Sequence, residues 1–273
     1  MYEKRFGLRG HPLPKDAQGP TYFSQTRGYE RLGHAFETLL TDGGLGLLTG
    51  AAGVGKTSAI RNLCRAPPRP EHRVLYLCDT AVAPLDLYRT MALELGVSPS
   101  HRRSQLWADL KKAISHLVDE QGILPVIVVD EAQHLSDRFL ADLGGFLNFA
   151  FDSRDLFPMW LVGMPPLLAH LRMQKHVALA MRVAVHVHLE PLERDPFLAL
   201  LEHGLEAAGA KKKLLSDPAR EMLFRASHGL PRVASRLLRA ALREAHRREQ
   251  DFVDEHIVEA AIEQMGITIA APR

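Results

Sequence analysis

The stretch GAAGVGKT, residues Gly50–Thr57, decides the fold of this chain. It matches the P-loop pattern of Gly, four residues, Gly, Lys and then Ser or Thr. The apolar run LGLLT before it predicts a buried strand over 45–49, and helical periodicity follows from about Lys56 to Cys64. A strand before the loop and a helix after it are the context that phosphate binding requires. The sequence therefore predicts a nucleotide site at this loop.

Each part of the loop has a chemical task. Gly53 and Gly55 let the backbone bend so that amide N–H groups point at phosphate oxygens, and the N-terminus of the next helix adds positive potential. Lys56 would reach the β- and γ-phosphates of ATP, and the Thr57 hydroxyl would ligate Mg²⁺. The predicted nucleotide-binding residues are Gly50, Ala51, Ala52, Gly53, Val54, Gly55, Lys56, Thr57 and Ser58.

A second motif, VIVVDEAQH at 126–134, carries two adjacent carboxylates. Its apolar run predicts a central strand, and ligands of doubly wound sheets bind where such strands end. Asp130 is predicted to hold Mg²⁺ through water, and Glu131 to polarise the attacking water. The alternative is that the pair only caps the next helix. The pair argues against a small-molecule kinase, and DEAQH also resembles the box of superfamily-two helicases, which carry a second RecA-like domain.

Composition indicates a packed globular protein. The 273 residues are 46% hydrophobic and 24% charged, with a net charge of +2, which leaves room for one α/β domain and a small helical one. The first twenty residues lack an apolar signal region, and the apolar runs are too short for a bilayer span. Cys64 and Cys78 permit at most one disulfide. We therefore expect a cytoplasmic protein with no membrane segment.

The predicted elements alternate between strands and helices up to about Glu190, and only helices follow from Asp195. Further predicted strands are RVLYLCD, LPVIVVDE, PMWLVG and RVAVHVHLEPL. The last of these alternates, which is typical of a sheet edge, and its His186 and His188 share a face without a third metal ligand. We predict an α/β core with a mainly parallel sheet over residues 1–190 and a small all-α lid domain over 191–273.

Several motifs together resemble a known family. They are FGLRGHPLPKD, the P-loop, VVDEAQHLS, FLNFAFD, LVGMPPLLAHL, ALAMRVAVHVHLEPL and ASHGLPRVASRLLRAAL. Across nearly its full length the chain resembles an AAA+ ATPase of the ExeA-like group, which also includes the TniB-, TnsC- and IstB-like ATPase partners of bacterial DNA transposases. The resemblance implies an AAA+ core with a helical lid, ATP bound between subunits, and arginines that contact the γ-phosphate.

The resemblance also assigns individual residues. Arg232 in GLPR matches the sensor-2 arginine, which contacts nucleotide in its own subunit. Arg182 matches the arginine finger offered to a neighbouring subunit, with Arg172 as the reserve candidate. Met164 departs from the family, because a polar residue usually stands at this sensor-1 position and a thioether is a weak acceptor only. Slow hydrolysis, suited to a switch, would follow.

Three functions remain open at this point. The first is an ATP-dependent homo-oligomer, a ring or filament on duplex DNA, that recruits or activates a transposase and is disassembled by hydrolysis. The second is an ExeA-type ATPase assisting assembly of a secretion system. Proteins of that kind carry a membrane segment and a cell-wall-binding part after the ATPase domain, which we do not expect after GITIAAPR. The third is an AAA+ loader or signalling protein. Candidate DNA contacts, which would be to phosphates, are Arg102, Arg103, Lys111, Lys112 and the arginine stripe from Arg236 to Arg247.

Overall fold

The computed structural model describes residues 2–16, 26–65, 69–149 and 153–266. The strands are β1 (Gly44–Gly50), β2 (His72–Leu77), β3 (Leu124–Val129), β4 (Pro158–Gly163) and β5 (Val183–Leu189). The helices are α1 (Tyr2–Phe6), α2 (Arg27–Asp42), α3 (Lys56–Arg65), α4 (Pro84–Glu94), α5 (Arg103–Ser115), α6 (Asp137–Phe146), α7 (Pro166–Leu171), α8 (Val177–Ala180), α9 (Arg194–Ala207), α10 (Asp217–Ser227), α11 (Pro231–Arg247) and α12 (Glu255–Met265).

The strands form one parallel sheet in the order β2-β3-β4-β1-β5. Every residue of β1 and β4 is buried, as expected of central strands covered on both faces. The prediction that the alternating strand lies at the sheet edge is confirmed by β5, which pairs with β1 and stands last in the order of the described strands. Because all strands are parallel, their carboxyl ends meet at one edge, where ligands of doubly wound sheets bind.

Local sequence signals account for several helix boundaries. The Ser136 hydroxyl accepts a hydrogen bond from the Phe139 N–H at 3.2 Å and caps the N-terminus of α6. Ser216 caps α10 and Asp254 caps α12 in the same way. Helix α5 ends at Ser115 and is followed directly by one π-helical turn over His116–Glu120.

The chain divides into two compact units. The sheet unit comprises residues 30–51 and 60–189, and the helical unit comprises residues 1–29, 52–59 and 190–273. The core of the sheet unit includes an aromatic group in which the Tyr88 ring lies 5.7 Å from Trp107, 5.3 Å from Phe139 and 5.2 Å from Phe146. Such pairs add packing energy beyond the buried area.

The helical unit has its own core, formed by the apolar faces of α9–α12. The first residues of the chain join it, because Tyr2, Phe6, Leu8 and Leu13 are all buried in this cluster. Residues 2–13 thus pack with the helices, whereas the sequence-based division into 1–190 and 191–273 assigns them to the α/β core. The apolar side chains between the charges of this segment find their partners in the helical unit.

Hydrogen bonds hold this segment to α11. The Ser235 hydroxyl donates to the Leu13 carbonyl at 2.7 Å, so His11 Nε2 carries a proton and donates to the Ser235 hydroxyl at 3.0 Å. Burial, and secondly the charge of Arg239, lower the pKa of His11 to about 4. His11 is therefore neutral near pH 7. Among the residues described, no helix is long and apolar enough to cross a membrane.

Candidate nucleotide-binding site

The P-loop begins where the buried strand β1 ends at Gly50. Gly53 has φ +83° and Gly55 has φ +104°, left-handed conformations that side chains with a Cβ rarely adopt. The loop ends at Lys56, the first residue of α3. The backbone amides therefore turn around a short loop that leads into a helix N-terminus, which is a ready anion site.

The structure brings the predicted sensor-2 residue Arg232 to the P-loop, within the helical unit. The Arg232 N–H donates to the Gly53 carbonyl at 3.2 Å, and Arg232 is the second residue of α11. A Cβ on Gly53 would lie 3.1 Å from the Arg232 Cβ, tighter than an ordinary contact. The backbone and Cβ of Arg232, an exposed residue, therefore lie beside the loop that is expected to hold the phosphates.

Asp130 lies directly after β3 and is 3% exposed. One carboxylate oxygen, Oδ2, accepts from the Tyr76 hydroxyl at 2.9 Å, and Oδ1 accepts from the Glu131 N–H at 2.8 Å. Both donors are neutral and orient the carboxylate. Burial, and secondly the negative charge of Asp130, raise the pKa of Tyr76, so the phenol stays protonated as a donor.

Tyr76 was missed by the sequence analysis. It lies in β2, paired in register with Val128 of β3, two residues before Asp130. The signal available in the sequence was a tyrosine in a predicted strand next to the acidic motif.

The oxygen ligands that Mg²⁺ prefers are present in the Asp130 carboxylate and the Thr57 hydroxyl, so these residue types fit the ion.

Glu131 is exposed and has φ 52° and ψ 34°, a left-handed conformation that costs energy for a residue other than glycine. Its carbonyl accepts from the Thr80 hydroxyl at 2.8 Å. Its carboxylate Oε2 accepts from the Gln133 side-chain amide at 2.6 Å. The backbone and the side chain of Glu131 are therefore both held in place. Left-handed residues other than glycine are concentrated at functional sites, which makes Glu131 a candidate functional residue.

Met164 follows β4 at the predicted sensor-1 position. Its backbone N–H donates to Gln133 Oε1 at 3.0 Å. The polar group next to this position is therefore the amide of Gln133, a residue that the sequence analysis did not single out. Asp130, Glu131, Gln133 and Met164 belong to one edge of the sheet unit, at the carboxyl ends of the neighbouring strands β3 and β4.

The two histidines of β5 share a hydrogen-bond partner. The Thr49 hydroxyl lies 2.9 Å from His186 Nε2 and 2.9 Å from His188 Nδ1, so it donates to one ring and accepts from the other. Burial, then the charges of His188 and Arg172, lower the pKa of His186. The described residues place no carboxylate or thiol with this pair to complete a metal site.

The one grouping of metal-ligand types found among the described residues lies elsewhere. Asp137 Oδ1 is 2.6 Å from His170 Nε2 and 2.9 Å from His176 Nε2. Asp137 Oδ2 is 2.6 Å from the Lys175 ammonium, so the carboxylate already has three partners. Hydrogen bonds from Lys175, His176 and His170, in that order, lower the pKa of Asp137.

Arg182 follows α8, and its backbone N–H donates to the Leu179 carbonyl at 3.0 Å. Burial, then the charge of Arg182, lower the pKa of Lys111. The neighbouring Met181 is 82% exposed, and Met173 and Val177 are also exposed at a spacing of four residues. The structure therefore places the candidate finger beside apolar surface, and its action in a neighbouring subunit stays a prediction.

The predicted DNA contacts fall into two groups. Arg103 pairs with Asp142 at 2.7 Å, and the Lys111 ammonium donates to the Asn148 carbonyl at 2.6 Å beyond the end of α6. Within the stripe, Arg247 binds the buried carboxylate of Glu244. These residues have structural partners. The exposed candidates without an ion pair in the described chain are Arg102, Lys112, Arg236, Arg239 and Arg243.

The parallel sheet, the P-loop and the following helical bundle give the chain the AAA+ fold, a P-loop α/β core followed by a helical lid domain. Residues 40–171 match the family model described as AAA domain. General secretion pathway protein A of Aeromonas hydrophila is 30% identical over 270 residues, which are 98% of this chain. The chain spans about half the length of that curated relative, 49%.

Solved structures share the fold at low identity. Cdc6p of Pyrobaculum aerophilum has a TM-score of 0.73 at 15% identity, over 99% of this chain and 72% of its own. Aeropyrum pernix ORC1, solved in complex with DNA, has a TM-score of 0.67 at 19% identity, over 96% of this chain and 69% of its own. The Thermotoga maritima RuvB branch migration motor has a TM-score of 0.64 at 18% identity, over 95% of this chain and 74% of its own.

Proposed function

We propose that this protein binds ATP with Mg²⁺ at the P-loop and hydrolyses it to ADP and phosphate. One observation carries the proposal: the P-loop and the Asp130–Glu131 pair both follow buried strands of one parallel sheet, at the edge where the strands end. Phosphate-binding amides and water-activating carboxylates are the two parts that hydrolysis of a nucleoside triphosphate needs.

The residues divide the reaction between them. Loop amides and Lys56 bind the phosphates, and Thr57 and Asp130 hold Mg²⁺, which neutralises phosphate charge when bound. Glu131 takes a proton from water as the water oxygen attacks the γ-phosphorus and the bond to the bridging oxygen breaks. Arg232 contacts the γ-phosphate in its own subunit, and Arg182 stabilises the developing charge in a neighbouring one.

We propose a role in the assembly of a secretion apparatus as the first use of this activity. The support is the identity to General secretion pathway protein A, which extends over 98% of this chain. That likeness ranks the secretion role above the transposition role, which the sequence analysis placed first. In this role the protein is a cytoplasmic homo-oligomer, and its partner is a protein of the apparatus.

A second candidate is an ATP-dependent assembly on duplex DNA that recruits a transposase. One surface favours it: Arg236, Arg239 and Arg243 are exposed along one face of α11 and make no ion pair with described residues. Three phosphate contacts would contribute about 2.7 to the slope of log affinity against log salt. The DNA complex of the similarly folded ORC1 agrees with this candidate.

Nucleotide binding is tested by titrating a fluorescent ATP analogue with Mg²⁺. Wild-type protein is expected to bind, and Lys56→Ala to bind at least about tenfold more weakly, since it loses a charged phosphate contact. Lys112→Ala, a lysine exposed in the sheet unit, is the control and should bind as wild type does. Equal binding by all three proteins would contradict the proposed site.

The choice of partner is tested by sedimentation with ADP, ATP or a non-hydrolysable analogue, with and without duplex DNA. Large complexes that need both DNA and ATP, and that the triple change of Arg236, Arg239 and Arg243 to Gln weakens, would support the DNA candidate. Complexes that respond to nucleotide and ignore DNA would support a protein partner. The single variant Arg138→Gln, exposed in the sheet unit, is the control.

A further inference from the structure

One side-chain amide joins the two catalytic strand ends of the sheet unit. Gln133 donates from its amide nitrogen to Glu131 Oε2 at 2.6 Å and accepts at Oε1 from the Met164 N–H at 3.0 Å. The first bond is short and its acceptor is a carboxylate, which makes it one of the stronger kinds of hydrogen bond. Both ends of the amide are thus used, and its orientation is fixed by the two partners.

The local backbone aims this amide. Glu131 is left-handed, and residues Ala132–His134 form a single 3-10 turn, so the side chain two positions on folds back to the Glu131 carboxylate. The Thr80 hydroxyl holds the Glu131 carbonyl at 2.8 Å and supports the left-handed residue. The geometry therefore restrains Glu131 from both its backbone and its carboxylate.

The end of β4 is shaped to receive the same amide. A Cβ on Gly163 would lie 2.7 Å from Gln133 Oε1 and 3.0 Å from the Leu167 side chain. Any side chain at residue 163 would thus compete with the bond to Met164. The absence of a Cβ at this position is what leaves room for the amide.

We propose that Gln133 is a positioning residue for Glu131, and that its amide supplies, through the Met164 backbone, the polar link to β4 that the Met164 side chain lacks. The inference rests on the proposed ATPase function. In this arrangement a movement at the end of β4 is transmitted to the carboxylate that activates water. Gln133 acts on hydrolysis and leaves nucleotide binding to the P-loop.

The first test compares steady-state hydrolysis and analogue binding for Gln133→Ala. Loss of a hydrogen bond to a carboxylate is expected to lower kcat about 10- to 100-fold, while nucleotide affinity stays within about twofold of wild type. Gln121→Ala is the control, because Gln121 is an exposed glutamine of the same unit whose side chain bonds His116, away from Glu131 and Met164. The control should retain the wild-type kcat.

The second test measures the pH dependence of the hydrolysis rate, which a purely structural role of Gln133 would leave unchanged. Gln133→Glu has the same shape but places a second carboxylate against Glu131, so the ionised pair is disfavoured. The acidic limb of the rate profile should move upward by about one pH unit or more, and Gln133→Ala should move it in the same direction by less, because the Glu131 carboxylate loses a donor that favours its ionised form. Gly163→Ala should also lower kcat, because its methyl group displaces the amide.

Glu131→Gln distinguishes this inference from the proposed function. If Glu131→Gln stops hydrolysis while Gln133→Ala and Gln133→Glu keep the wild-type kcat and pH profile, the positioning role is wrong and the ATPase proposal survives. If Glu131→Gln hydrolyses ATP at the wild-type rate, the catalytic assignment fails and the positioning role fails with it. Thermal unfolding of each variant without nucleotide identifies any that does not fold, and Gln133→Glu, the isosteric change, then decides.

Discussion

Replacing Gly53 by alanine should weaken nucleotide binding more than the same change at Gly55. Both residues have left-handed φ angles, +83° and +104°, so a Cβ costs about 1–2 kcal/mol at either position. At Gly55 the new methyl group meets no atom within 4 Å. At Gly53 it lies 3.1 Å from the Arg232 Cβ and strains the Arg232 N–H bond to the Gly53 carbonyl.

The magnitude follows from these contacts. The bond from Arg232 is worth about 0.5–1.5 kcal/mol, so Gly53→Ala should cost about 2–3 kcal/mol in total. Without nucleotide, the substituted loop relaxes and relieves this strain. It must return to the strained conformation to bind phosphate, so the free-energy cost of the substitution appears as a higher Kd. The Kd should rise about 30- to 150-fold for Gly53→Ala, and about 5- to 30-fold for Gly55→Ala.

The assay is an equilibrium titration of both variants with a fluorescent ATP analogue and Mg²⁺. Thermal unfolding without nucleotide shows whether each variant is folded. The contact with Arg232 predicts about a fivefold difference in Kd between the variants. Equal Kd values would refute the role assigned to that contact, and wild-type values for both would refute the conformation of the loop.

Three further predictions concern other parts of the molecule. Arg182→Ala, inactive alone, should regain ATP hydrolysis when mixed with Glu131→Gln, since an arginine finger completes a neighbour's site; no rescue at any ratio would contradict action in trans. Tyr76→Phe should lower the free energy of urea unfolding by about 1 kcal/mol, because buried Asp130 loses a donor, and an unchanged midpoint would show that the bond contributes nothing. Hydrogen bonds, first from the Arg247 guanidinium, lower the pKa of Glu244 from 4.5 to about 2, so its stabilisation is present above pH 4.5 and is lost as pH falls toward 2; urea midpoints of Glu244→Gln should lack this loss.

The sequence was most informative where the physical signal is local. Non-alternating apolar runs predicted β1, β3 and β4, because strands buried on both faces need apolar side chains throughout. The P-loop spacing is equally local, since the glycines and the helix N-terminus lie within one turn of chain. The cap at Ser136 also follows from neighbouring residues alone.

Contacts between distant parts of the chain were not predictable in the same way. The burial of the N-terminal segment in the helical unit depends on residues more than 200 positions away, such as Ser235. The sequence makes Lys111 and Arg103 candidate DNA contacts, because it does not show that Asn148 and Asp142 bind their side chains. A charge pattern in the sequence identifies basic residues, but tertiary contacts decide whether their side chains can bind a ligand.

Part of the candidate site was missed for a related reason. Gln133 belongs to the acidic motif VIVVDEAQH, yet glutamine has no charge and does not titrate, so nothing in its chemistry marks it as functional. Its role depends on Met164, which lies beyond an intervening helix and strand. Tyr76 is separated from Asp130 by two helices and becomes its neighbour only through the pairing of β2 with β3.

The ATPase site is tested by phosphate release under ATP saturation, measured in parallel for wild type and Glu131→Gln. Wild type is expected to turn over ATP slowly but measurably. Glu131→Gln should bind ATP as wild type does and release phosphate at least about 100-fold more slowly, because a general base contributes that much. Equal release rates for the two proteins, or no nucleotide binding by wild type, would contradict the claim that this fold carries an ATPase site.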